Sequence, residues 1–150
     1  MPRVGSASAF EAHHLGGTAV AEPAVGSFRF PARNRLHRPE EFGAVLRGAV
    51  KRRHGCFELC FSRPNGGGQP IAGPRLGIII PKRLARTAVL RNLLKRLVRD
   101  EFRLSQLRLP AGDMVIRLVG APDVHPTPPD ATRRRAWRLS VKTLLAGLAP

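Results

Sequence analysis

The spacing of hydrophobic positions changes several times along the chain, and each change predicts an element. Between Pro39 and Gly48 the apolar residues Phe42, Val45 and Leu46 recur at helical spacing. Pro39 suits a first helical position, Glu40 and Glu41 complement the positive helix start, and Gly48 ends the run, so a short amphipathic helix is predicted. Residues 51–54 and 56–62 predict two strands joined near Gly55, with Phe57, Leu59 and Phe61 facing one way and Cys56, Glu58, Cys60 and Ser62 the other. Leu76 to Ile80 is a continuous apolar run, as in a strand buried on both faces, and Pro81 ends it.

Residues 88–103 follow a helical period, with Thr87 placed to cap the start. Leu90, Leu93, Leu94, Leu97 and Val98 fall on one arc, and Arg91, Asn92, Lys95, Arg96, Arg99 and Arg103 on the opposite one. Glu101 projects toward the apolar side of this wheel and Phe102 toward the basic side. Met114 to Val119 reads as another strand; with the helix between them, two strands predict a βαβ unit with parallel pairing. Residues 130–148 predict a last helix, with Trp137, Val141, Leu144, Leu145 and Leu148 at core spacing.

The intervening segments differ in kind. Residues 1–27, rich in Ala, Gly and Ser and without a sustained period, predict a disordered extension ahead of a domain at 28–148. Residues 30–38 predict an extended basic arm, 63–74 a flexible glycine-rich loop and 120–129 a stiff proline-rich one. No Gly-Lys-Ser/Thr follows the glycines, so the loop is no phosphate-cradling motif.

Composition adds a partner to this outline. The 150 residues fit one domain, and 43% hydrophobic content supplies a core. Against 10 acids stand 26 Lys and Arg, giving a formal charge of +16. Four of these cations are lysines, at 51, 82, 95 and 142, and the other 22 are arginines. A GC-rich genome would produce the arginine bias without any function, but an excess of this size points first to a polyanion, and arginine suits bidentate phosphate contact. The charge is concentrated: residues 82–103 carry eight Lys or Arg and no acid before Asp100 and Glu101, net +6. A merely solvated helix usually alternates its signs to form i,i+4 pairs.

Other classes are excluded or disfavoured. No stretch approaches the roughly 18 apolar residues of a membrane span, and the first residues lack the order of a signal peptide, so a cytoplasmic protein with no membrane partner is expected. Cys56 and Cys60, four apart on a strand, would lie about 13 Å apart, too far for a disulfide; they read as small apolar residues rather than metal ligands with His54. Hydrolase elbows, His-Glu-x-x-His and dinucleotide-binding glycines are absent, so catalysis by this polypeptide alone is not expected. His37 and His54 read as solvated residues beside basic stretches. A helix-turn-helix or ribosomal protein is the runner-up, but the basic helix lies between strands instead of beside a second helix.

Three motifs then carry a resemblance: Arg75-Leu-Gly-Ile-Ile-Ile-Pro-Lys-Arg83, the run Ala88 to Phe102, and Asn34-Arg-Leu-His-Arg-Pro-Glu-Glu-Phe42, with Gly112 to Leu118 downstream. In order and spacing they resemble the protein subunit of bacterial ribonuclease P over residues 28–148. The resemblance implies an α+β fold, an αβββαβα two-layer sandwich whose four-stranded sheet has a left-handed βαβ crossover (ribosomal protein S5 domain 2-like). It implies an accessory subunit of the endoribonuclease that removes the 5′ leader of precursor tRNA, with catalysis and Mg2+ held by the RNA subunit and no obligate protein partner. Lys82, Arg83, Arg91, Asn92, Lys95, Arg96, Arg99 and Arg35 are then the expected contacts to the catalytic RNA. Phe42 and Leu46 of the first helix and Phe57, Leu59 and Cys60 of the second strand are the candidates for a leader cleft; Phe57 and Leu59 face opposite to Cys60, so only one of those two sets can line it. Leu93 stands where the family commonly has a second arginine, and of Phe42, Leu46 and Cys60 only one is aromatic, which weakens base stacking there.

Overall fold

The computed structural model describes residues 30–48, 50–63, 72–124 and 129–149. The expected extension at 1–27 and most of the glycine-rich loop lie outside these residues. The elements follow in the order α1 (Pro39–Gly48), β1 (Val50–His54), β2 (Phe57–Ser62), β3 (Pro74–Ile79), α2 (Ala88–Ser105), β4 (Gly112–Leu118) and α3 (Ala131–Ala146). This is the αβββαβα order expected from the sequence.

The strands form one sheet in the order β1-β2-β4-β3. β2 pairs antiparallel with both β1 and β4, and β3 runs parallel to β4, so α2 connects two neighbouring parallel strands as the pattern predicts. Gly55 turns the β1–β2 hairpin with φ of 59°, a backbone conformation that glycine adopts without penalty. As its apolar run predicts, β3 is packed on both faces, Leu76 and Ile78 against the main core and Gly77 and Ile79 on the α1 side. It is an edge strand, and along that edge the Leu36 amide donates to the Leu76 carbonyl at 3.1 Å and Arg35 forms a parallel bridge to Leu76. The opposite edge, β1, has all five residues exposed.

The two sheet faces are covered unequally. Phe57, Leu59, Phe61, Met114, Ile116 and Leu118 point to one side, where Leu94, Leu97, Val98 and Phe102 of α2 and Trp137, Val141, Leu144 and Leu145 of α3 close the main core. Cys60 and Val115 point to the other, with Leu36 and Val45 packed on them and Phe42, Leu46 and Ile79 at the margin. Strand alternation separates the two sets. α1 lies close on its side because residue 77 is glycine; a Cβ there would come within 2.9 Å of Phe42 Cζ and 3.0 Å of Leu36 Cδ1.

One helical-wheel expectation changes and one holds. Phe102, drawn toward the basic side, is completely buried, because Phe30 from the arm covers that flank of α2 in an edge-on ring contact at 5.3 Å. Glu101 does lie on the apolar side, where Arg138 of α3 donates to it at 3.0 Å. The arm is also less extended than expected: Ala32–Asn34 make a 3-10 turn before the chain joins the edge of β3.

Candidate nucleic-acid interface

α2 is the platform of the basic surface. Thr87 caps it, its Oγ1 accepting from the Leu90 amide at 3.2 Å, and its apolar stripe fixes the rotation of the helix on the sheet. Asn92, Arg96 and Arg99 therefore face outward and are exposed. Together with Phe30, Arg35, Asp100 and Arg103 they line an open groove of about 550 Å³ between α2 and the arm. Arg35 is held there by two contacts: its Nη2 donates to the Phe30 carbonyl at 2.8 Å, and its guanidinium carbon lies 4.8 Å from the Phe30 ring centre. Both acids at the end of the helix are engaged by arginine, and Asp100, which lines the groove, lies 3.9 Å from Arg103 Nη2. Arg138 Nη2 lies 3.6 Å from Asp100 and its Nη1 3.0 Å from Glu101, so α3 neutralises much of the negative charge that would oppose an anion in the groove.

Ahead of α2, residues 81–87 form a compact loop. The amides of Leu84 and Ala85 both donate to the Pro81 carbonyl at 3.1 Å, which turns Ala85 into the core and leaves Lys82, Arg83 and Arg86 exposed. Arg91 does not point freely outward with its neighbours. It is half-buried, and its Nη1 donates to the carbonyls of Ala85 and Arg86 at 3.0 and 2.9 Å. Lys95, one turn on along the same flank, is half-buried as well.

The second candidate surface lies across the sheet, beside α1. Phe42 and Leu46 are half-buried at its margin and stay accessible. Phe57 and Leu59 are corrected: both point to the α2/α3 side with no exposed surface and cannot line a cleft under α1. Cys60 points to the α1 side but is covered, and burial pushes its thiol above the usual range, with the nearby Glu58 carboxylate adding to the effect. Beyond α1 the same sheet face carries Arg53, Glu58 and Arg117 in one cross-strand row, with Glu58 and Arg117 paired at 2.5 Å.

A polar clamp, not a deep core, fixes the start of α1. Arg75 of β3 donates from Nε and Nη2 to the two oxygens of Asp113, both at 2.7 Å, and from Nη1 to Glu41 at 2.9 Å. The other Glu41 oxygen accepts from the backbone amides of His37 and Arg38 at 2.8 and 3.0 Å. Those two amides, then Arg75, hold the Glu41 carboxyl down at about 2, against an ordinary 4.5. The same carboxylates raise the Arg75 guanidinium further above its usual range, Asp113 foremost.

An arginine-lined groove on one helix and a half-apolar surface across the sheet are compatible with several roles, and comparison with known proteins decides among families. The Ribonuclease P family matches residues 30–139, which contain every element from the arm to the middle of α3. This chain belongs to the ribonuclease P protein family. A "Ribonuclease P protein component" of Bordetella parapertussis is 47% identical over 88 residues, covering 59% of this chain and 72% of the relative. That of Bordetella petrii is 40% identical over 110 residues, covering 73% of this chain and 85% of the relative. The RNase P protein of Thermotoga maritima superposes with a TM-score of 0.53 at 25% identity, over 77% of this chain and 98% of that one. The Staphylococcus aureus protein gives 0.59 at 20% identity, over 80% and 92%. The family is the protein component of ribonuclease P, the enzyme of tRNA 5′ processing.

Three residues of this surface lie outside the set expected from the sequence: Phe30 and Arg103 line the groove, and Arg86 is exposed on the loop before α2. Arg103 was legible on the helical wheel and Arg86 in the charge count; nothing local to Phe30 signals that it closes the groove. No helix among the described residues is long and apolar enough to cross a membrane. The donor set does not fit a resident divalent cation. Among the described residues no three His, Cys, Asp or Glu side chains gather, and Glu41, Glu58, Asp100, Glu101 and Asp113 are all engaged by arginines.

Proposed function

We propose that this chain binds the RNA subunit of ribonuclease P through the α2 groove and the loop before it, and receives the 5′ leader of precursor tRNA beside α1. The observation that carries the reading is the convergence of Arg35, Asn92, Arg96, Arg99 and Arg103 on one open groove in a member of this family. Arginines so spaced match phosphates along an RNA backbone, and Asn92 adds a neutral donor and acceptor for a 2′-hydroxyl or a base edge. Lys82 and Arg83 extend this surface from the loop, and Lys95 flanks it.

On the other side of the sheet, Phe42 and Leu46 supply an apolar margin, and Arg53 and Arg117 supply charge for a single strand. With one aromatic ring at that margin, contact there rests on backbone charge and apolar packing more than on serial base stacking. Cleavage belongs to the RNA subunit in this reading. Among the described residues, Glu41, Glu58, Asp100, Glu101, Asp113 and Asp123 are held in ion pairs and Asp130 caps α3, and the Mg2+ ions of the reaction are assigned to the RNA.

Reconstitution tests the proposal. The purified protein is mixed with the ribonuclease P RNA of the same genome and labelled precursor tRNA at low Mg2+, where RNA alone is slow. Accelerated cleavage at the mature 5′ end is expected. A rate equal to that of RNA alone overturns the reading.

A further inference from the structure

Arg91 is the first cation of α2, yet its side chain turns back toward the backbone of the loop before the helix. It lies in the second turn of α2, whose first turn contains no acid. The positive end of the helix dipole disfavours a cation there. The two carbonyls that its Nη1 reaches, those of Ala85 and Arg86, offset that cost with charge-assisted hydrogen bonds at 3.0 and 2.9 Å. They belong to the loop that carries Lys82, Arg83 and Arg86, three exposed cations within five residues. Such a loop repels itself, and from the strand side the turn at Pro81, the burial of Ala85 and the packing of Leu84 on the main core oppose its opening.

We infer that Arg91 is a positioning residue: it ties the 81–87 loop to α2, so that Lys82, Arg83 and Arg86 meet RNA phosphates as a preformed set. The inference rests on the RNA-binding reading above and refines it. Arg91 acts on the RNA through the loop, and Arg86 joins Lys82 and Arg83 as a direct contact. Preforming the loop places the ordering cost in the folding of the protein, where Thr87 and Arg91 share it, instead of in the binding step.

A double-mutant cycle separates this role from a phosphate contact by Arg91 itself. The full-length protein, Arg91→Ala, the triple variant Lys82→Ala/Arg83→Ala/Arg86→Ala and the combined variant are titrated with the ribonuclease P RNA of the same genome. Arg91→Ala is expected to weaken binding about tenfold when the loop cations are present and less than about twofold when they are gone. Amide exchange at Leu84 and Ala85 is expected to speed up in Arg91→Ala while that of the central β4 amides stays unchanged, which excludes a general loss of fold. Equal losses in both backgrounds overturn the inference while leaving the RNA-binding reading intact. A native protein that fails to bind this RNA overturns both.

Discussion

The two faces of the sheet are built on different physics. On the α2/α3 side, Phe57, Leu59, Phe102, Met114, Ile116 and Leu145 are sealed from solvent, and the helices are held by area and packing. On the α1 side only Leu36, Val45, Cys60 and Val115 are buried, and the position of α1 depends on the Glu41–Arg75–Asp113 clamp and the close approach at Gly77. The first face tolerates no loss of volume; the second depends on directional bonds that pH and single charges can reach. The stiffer face carries the groove proposed for the RNA subunit, and the lighter one the surface proposed for the leader.

The contrast is broken most directly in the core. Phe102→Ala should cost about 3–5 kcal/mol in urea unfolding, since it removes a fully buried ring and its contact with Phe30. A cost near 1 kcal/mol would mean that the arm and α2 can collapse into the space, and that this face is not the rigid one.

Arg75→Ala probes the other side. It leaves Asp113 and Glu41 without their shared cation at a site about a quarter exposed, so a loss of about 2 kcal/mol is expected, below that of a fully buried pair. Amide exchange should accelerate in α1 while α2 and α3 stay protected; a uniform acceleration would show that the faces are not independent.

Acid sharpens the same point. The folded-state pKa of Glu41 is lowered, so its contribution is complete above about 4.5 and is lost as pH falls toward about 2. Its size is on the order of 1–2 kcal/mol after solvent screening. Glu41→Gln should flatten the acid limb of stability across that window; an unchanged limb would remove Glu41 from the clamp.

The smallest effect on stability should come from the groove. Arg96→Ala and Arg99→Ala should each shift unfolding by no more than about 0.5 kcal/mol. Each should also lower the slope of log affinity against log salt for the RNA by about 0.7–0.9. An unchanged slope would remove that arginine from the contact set.

The order of elements and the parallel pairing of β3 with β4 were legible in the sequence because hydrophobic period and turn residues are local signals. The groove was legible in part. The helical wheel correctly turned Asn92, Arg96 and Arg99 outward, because the apolar stripe of α2 decides that rotation. It misplaced Phe102 because a wheel treats one helix alone, and the partner that buries this ring, Phe30, lies in a segment without period. The cleft was legible only as two alternatives: alternation divides Phe57 and Leu59 from Cys60, but which set meets α1 depends on the crossover of the chain. Arg75 and Arg91 look like any other cations in a basic sequence. Only tertiary structure reveals that one joins two carboxylates and the other turns back on a loop.

The sheet has two edges, and they are guarded differently. β3 is occupied by the chain at Arg35 and Leu36, whereas no strand or bridge among the described residues pairs with the outer edge of β1, along which Lys51, Arg52 and Arg53 follow in sequence. A second copy pairing along β1 would bring two such triplets to within about 5 Å of each other, the spacing of neighbouring strands. That crowding of like charge is a kinetic and thermodynamic barrier to end-on stacking of sheets. The basic character that the proposal assigns to an RNA partner would thus also set copies of the protein apart from one another.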